Sequence, residues 1–172
     1  MYIETYQRLI SMLEERGMRF HCDQEHQSVA MDIRTGIATF RVLATVDEDS
    51  DLFQVFAYCP VGTPPGAIVA VCEAVARANF GLRVGKFEMD LDRGEIRFQA
   101  SQILAAETEV TQLIINRMIS TAVSMVDMYF PAFMSVIYAN ETPADAIRQV
   151  EIGHRPGPDP DSESSEPVEH ES

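Results

Sequence analysis

The chain has 172 residues, 46% of them hydrophobic, and a formal charge of -14 at pH 7. That length buries the core of a single domain, and so acidic a surface excludes broad electrostatic attachment to nucleic acid or to an anionic membrane. The charge is uneven: Glu151 to Ser172 holds seven acids against one arginine, a net of -6, which leaves -8 for residues 1–150.

The spacing predicts a first helix over Tyr2–Arg16. Ile3, Tyr6, Leu9, Ile10 and Leu13 fall on one stripe, Glu4, Gln7, Arg8, Ser11 and Glu15 face away, and Gly17 is a natural stop. Strands are expected next. Met18–Asp23 is a short candidate. In Val29–Arg34, the side chains of Val29, Met31 and Ile33 share a face opposite Ala30, Asp32 and Arg34, and Thr35–Gly36 turns the chain. Ala38, Phe40, Val42, Ala44 and Val46 keep a period of two, Asp47–Asp51 makes an acidic loop, and Leu52–Cys59 is apolar on both faces, as a central strand would be.

Pro60, Gly62, Pro64, Pro65 and Gly66 break that pattern before a second helix, Ala67–Phe80, closed by Gly81. Only Glu73, Arg77 and Asn79 are polar in it. One packing face would leave Ile68, Val69, Val71, Val75 and Phe80 partly covered. Leaving two or three such side chains in water forgoes roughly 3–6 kcal/mol, at about 1.5–3 kcal/mol each. A second covering surface is expected, either another helix or another subunit, with Ile68, Val71, Val75 and Phe80 as the candidate interface.

Leu82–Ser101 reads as a β-hairpin. Phe87, Met89 and Leu91 share one face, Ile96, Phe98 and Ala100 share the face of the return strand, and Gly94 is placed for positive φ in the Asp92–Glu95 turn. Gly85 marks a bulge or the true strand start. A long helix is expected from about Glu107 to Tyr129, capped by Thr108, with Gln112, Asn116, Ser120, Ser124 and Asp127 as its polar stripe. Pro131 predicts a kink or break, followed by a second short helix, and Thr142–Pro143 opens another. The order helix, three or four strands, helix, hairpin, helices gives an α+β domain over residues 1–150, its helices packed on an antiparallel sheet. Residues 151–172, rich in Pro, Asp, Glu and Ser, are expected to be a disordered tail.

The motifs that carry chemistry fail one by one. Asp47, Asp49 and Asp51 start like a calcium loop, but Leu52 stands where glycine is required and Tyr58 where a bidentate glutamate belongs. The Gly81–Phe87 stretch lacks the spacing and the Ser or Thr of a phosphate loop. His21, Cys22, Asp23, Glu25 and His26 are all metal-ligand types, yet Cys59 and Cys72 stand alone and no second cluster completes a shell, so no metal or cofactor is expected. No Gly-x-Ser-x-Gly elbow accompanies the two body histidines, and Asp90 and Asp92 read as turn residues. Met118, Met125, Met128 and Met134 fit a core better than a ligand surface. Three cysteines without a CxxC pair fit a reduced compartment. The opening segment has no basic region leading into an apolar run, and no stretch approaches the roughly 20 apolar residues of a membrane span. A cytoplasmic protein is expected, with no membrane association.

Gly85–Ser101 ("GKFEMDLDRGEIRFQAS") and Met125–Ile147 ("MVDMYFPAFMSVIYANETPADAI") resemble the YbjN-like family of bacterial sensory transduction regulators. The shared order of elements covers about residues 1–150, and the shared motifs are structural. The resemblance implies a fold similar to type III secretion chaperones, which are small, acidic, commonly dimeric α+β proteins that bind extended segments of their partners. It carries no catalytic residues. The expected function is a non-enzymatic interaction module, a regulator, adaptor or chaperone-like binder. It would act as a homodimer and recognise a protein or peptide through exposed apolar surface or a sheet edge. The alternative is a small-ligand sensor with a hydrophobic pocket between helices and sheet, lined by Met and Phe.

Overall fold

In the computed structural model, which describes residues 2–47, 49–104 and 110–153, six strands form one antiparallel sheet with helices covering one face. The chain runs α1 (Tyr2–Glu15), β1 (Phe20–Asp23), β2 (Ser28–Arg34), β3 (Thr39–Asp47), β4 (Leu52–Tyr58), a 3-10 turn (Pro65–Ala67), α2 (Ile68–Phe80), β5 (Lys86–Asp90), β6 (Glu95–Ile103), α3 (Gln112–Tyr138) and α4 (Pro143–Gly153). This is the expected α+β architecture. The spatial order is β1-β2-β3-β4-β6-β5. The hairpin that follows α2 therefore returns its second strand, not its first, to the middle of the sheet.

Alternation assigns the two faces. Phe20, Met31, Val42, Ala57, Phe98 and Phe87 are successive cross-strand partners through all six strands, and this row lies under the helices. Phe87 packs edge-on against Phe98, Tyr129 and Phe133, with ring centroids 5.1–5.3 Å apart. Those rings pack together at the helix–sheet interface. β4 is central, as its two apolar faces predict. Leu9, Met12 and Leu13 bring α1 onto the same core, and the Tyr6 hydroxyl donates to the Asp23 carbonyl at 3.2 Å.

Three expectations need correction. Pro131 does not end the long helix: α3 is continuous from Gln112 to Tyr138. The proline is exposed while Tyr129, Phe130, Ala132 and Phe133 around it are buried. Its cost of about 3 kcal/mol is offset by four packed neighbours, each large one contributing about 1.5–3 kcal/mol. The start of α3 is also later than expected, because Thr111 is extended and its hydroxyl accepts the Ile114 N–H at 3.3 Å. Leu91 leaves the hairpin face for the turn and is 57% exposed. The Thr108 cap, the side chain of Ile3 and the segment beyond Gly153 lie outside the described residues. α4 itself carries the helical domain past residue 150, through Glu151 to Gly153.

By length and composition α3 is long and apolar enough to cross a membrane, with a mean hydropathy of 1.2 over its best window. Its apolar side chains have another use: Ile115, Ile119, Ala122, Val126 and Phe133 are buried in the domain core.

Gly94 has φ +69 and a Cβ there would meet the Thr63 carbonyl oxygen at 2.2 Å, so only glycine closes the hairpin against the loop before α2. Gly85, at φ +73, precedes the first residue of β5, and its missing side chain leaves room for the Phe98 ring. It is the strand start rather than a bulge.

Candidate functional site

α2 and α4 together frame an exposed hollow of about 580 Å³. α2 carries its outward residues at three- and four-residue intervals: Val69, Glu73, Ala76, Arg77 and Phe80. Phe80 is 97% exposed and Val69 is 84% exposed, which is far from the rule for side chains of that size. Ile147 and Ala144 of α4 supply the apolar floor, and Arg148 and Glu151 its far wall. Glu73 and Arg77 hold each other at 2.7 Å along the helix, and Arg148 holds Asp145 at the same distance. α4 is fixed at its start by a reciprocal cap in which the Thr142 hydroxyl accepts the Asp145 N–H at 3.2 Å and donates to its carboxylate at 2.7 Å. At its other end Glu151 accepts from the Tyr129 hydroxyl at 3.1 Å. Burial first, and that hydrogen bond second, push the Tyr129 phenol up to about 12.

The four interface residues expected from sequence divide here. Val71 and Val75 are buried within the chain itself, which corrects their assignment to an outer surface. The physical reason is that α2 is covered on more than one side, by β5, α3 and α4. Of the two covering surfaces weighed, another helix is therefore present. Ile68 is half-buried and Phe80 is fully displayed. Sequence reasoning counted Val69 among the partly covered residues of α2 but left it out of the candidate interface, and it missed all of α4's contribution. The helical interval from Phe80 back to Val69, eleven residues or about three turns, was the available signal.

Among the described residues no helix lies on the sheet's other face. Along one row of it, Asp32, Arg41, Tyr58, Arg97 and Glu88 are successive cross-strand partners. The Arg97 guanidinium lies 4.5 Å from the centre of the Phe56 ring and 6.0 Å from that of Tyr58, and it pairs with Glu88 at 2.8 Å. Burial alone would raise the Glu88 carboxyl, but hydrogen bonds from Lys86 and Arg97 outweigh it and hold the group below the usual range. This arrangement was readable as the out-facing set of an alternating pattern, although nothing marked it as a site.

The sheet's two edges differ. At β5 the Asn79 side chain occupies the Phe87 backbone, donating to its carbonyl at 3.0 Å and accepting its N–H at 2.7 Å. β1 at the far edge is four residues long. Of the candidate metal ligands, His21 and Cys22 lie in β1, and Asp23 and His26 are engaged in the turn after it: Asp23 accepts the backbone N–H groups of Glu25 and His26 and pairs with the His26 imidazole at 2.8 Å. Those bonds hold Asp23 below, and His26 above, their ordinary values. Among the described residues no three His, Cys, Asp or Glu side chains converge on a metal position. Asp47 is likewise saturated by the Asp49 and Ser50 N–H groups and the Ser50 hydroxyl. Burial pushes the Cys59 thiol up to about 12, far from a nucleophile's range.

A family model named YbjN and described as "Putative bacterial sensory transduction regulator" matches residues 5–135. Among solved structures, one described as "Crystal structure of YbjN, a putative transcription regulator from E. coli" is 16% identical with a TM-score of 0.50, covering 77% of this chain and 88% of that one. Another, "Structure of the HopA1-SchA Chaperone-Effector Complex", is 11% identical with a TM-score of 0.49, covering 73% of this chain and 91% of that one. No curated protein matches the chain. At 16% identity the likeness to the first of these is one of fold.

Proposed function

The chain belongs to the YbjN family, and from that premise we propose that it is a non-enzymatic, cytoplasmic regulator that works by protein–protein contact, as a homodimer joined through the outer stripe of α2. The single observation that carries the reading is a pair of large apolar side chains, Val69 and Phe80, in water at the two ends of one helical stripe. Exposed apolar surface of this kind marks an interaction site. The structure from E. coli is described as "a putative transcription regulator". With a charge of -14, regulation by this chain would run through a protein partner rather than through DNA phosphates.

A second copy is the occupant argued for because the stripe complements itself. Glu73 and Arg77 lie symmetrically about residue 75, and Val69 and Phe80 lie almost symmetrically about the same point. Two antiparallel copies of α2 related by a two-fold axis set each Glu73 near the partner's Arg77 and each Phe80 over the partner's Val69. That is the self-matching an isologous interface requires.

Light scattering at micromolar concentration tests it. The wild-type chain should have about twice the 19.2 kDa of one copy, and Phe80→Asp should approach the mass of one. A wild-type monomer sinks the dimer. A partner protein held equally by wild type and by Phe80→Asp would remove this stripe from recognition.

A further inference from the structure

We propose that the second copy's α2 lies in the groove between α2 and α4, so that α4 supplies one wall of its seat and Arg148 faces the second copy's Glu73. This rests on the dimer reading and deepens it.

α2 is too small to hold two copies by itself. Its 13 residues make a rod about 20 Å long and about 10 Å across, a footprint of about 200 Å². Each partner in a stable interface buries roughly 800 Å². Another element has to take part, and α4 shares the exposed hollow with Phe80: Ala144, Ile147, Arg148 and Glu151 form its other side. The 11 residues of α4 nearly double the footprint, and a helix sunk between two others buries walls as well as floor.

The two helices run the same way. Asn79 holds the Phe87 backbone, the Phe87 ring meets that of Tyr129 at 5.3 Å, and the Tyr129 hydroxyl bonds Glu151 at 3.1 Å, which brings the last turns of α2 and α4 together. One turn back, Arg148 stands level with Arg77; a further turn back, Asp145 stands level with Glu73. α4 therefore repeats the charge order of α2, acid before base. A second α2 laid antiparallel about residue 75 sets its Glu73 between Arg77 and Arg148, and its Arg77 between Glu73 and Asp145. The pairs within each helix leave room for this. Arg77 reaches Glu73 through Oε1, at 2.8 Å from Nε and 2.7 Å from Nη2, which leaves Oε2 for an arginine of the second copy. Arg148 spends one nitrogen, Nη2, on Asp145 at 2.7 Å, out of the five donors a guanidinium carries. Local charge favours the same occupant. Two acids and two arginines line the hollow of a chain whose net charge is -14, so two such chains meet here without the repulsion that the rest of the surface imposes.

The test mixes equal amounts of the full chain carrying Arg148→Glu and an isotope-labelled full chain carrying Glu73→Arg, both changed at exposed positions, and weighs the dimers by native mass spectrometry. In either homodimer, residues 73 and 148 of opposite copies carry like charges at both contacts; in the mixed dimer they carry opposite charges at both. The contacts between residues 73 and 77 cancel, because the mixed dimer has one matched and one clashing pair, which is the mean of the two homodimers. The association constant of the mixed dimer should therefore exceed its statistical value by roughly two- to thirtyfold. A statistical share of mixed dimers, from a chain whose wild type is dimeric and is dissociated by Phe80→Asp, overturns the seat on α4 and leaves the α2 dimer standing. A wild-type monomer in light scattering overturns both.

Discussion

Asn79 sits in the last turn of α2 and gives both ends of its amide to Phe87, occupying the outward N–H and C=O of β5 as a neighbouring strand would. Asn79→Ala leaves those groups unpartnered at a half-buried site, and a cost of about 1–3 kcal/mol follows. A urea titration should show a lower midpoint at unchanged slope; an unmoved midpoint would mean water replaces the amide without loss. Tyr129 makes a different kind of contribution. Its phenol is pushed up to about 12 from 10.0, by burial first and then by Glu151. The folded chain thus holds this proton more tightly than the unfolded chain does. The stabilisation is complete below pH 10 and is lost as pH climbs from 10 towards 12. Tyr6 is also raised to about 12, by burial first and then by Cys22 and Asp23. Tyr129→Phe should therefore flatten part of the alkaline fall in stability, leaving the share due to Tyr6. Denaturation curves across that pH range would superimpose on wild type if Tyr129 carried none of it.

At the scale of elements, most of this fold was legible because strand and helix periods are local. The alternation through Phe40, Val42, Ala44 and Val46 could only be a half-buried strand, and the two apolar faces of Leu52–Tyr58 marked the sheet's centre. What was illegible depended on contacts distant in the chain. Nothing between residues 85 and 103 says that β6, not β5, joins β4. The penalty of Pro131 is visible locally, whereas the packing of Tyr129, Phe130, Ala132 and Phe133 that outweighs it is tertiary. That explanation is testable. Pro131→Ala returns an N–H to the carbonyl four residues earlier while making the unfolded chain less restricted. The net effect should be a gain of about 1–2 kcal/mol and a higher Tm. A loss of stability would show that the proline's shape, rather than its neighbours alone, is built into the packing of α3.

For the whole molecule, the candidate site was legible as a surplus and not as an address. Too many apolar residues surround α2 for one packing face, and that inference held; which of them stay outside depended on α4, which no local pattern ties to α2. Val71 and Val75 went inward and Val69 took their place beside Phe80. The corrected stripe makes a sharper prediction than the surplus did, because its charges have a sense of direction. Glu73→Arg makes the stripe wholly basic, and Arg77→Glu makes it wholly acidic. Each variant alone should self-associate more weakly than wild type, since a two-fold axis repeats every like-charge contact. Exposed pairs contribute about 0.2–1 kcal/mol each, so two symmetric contacts shift the dimer constant by roughly two- to thirtyfold. Mixed in equal amounts, the two variants should recover association as a heterodimer, visible in native mass spectrometry once one chain is isotope-labelled. A statistical mixture of species would mean that residues 73 and 77 do not face their counterparts, and would overturn the pairing through α2.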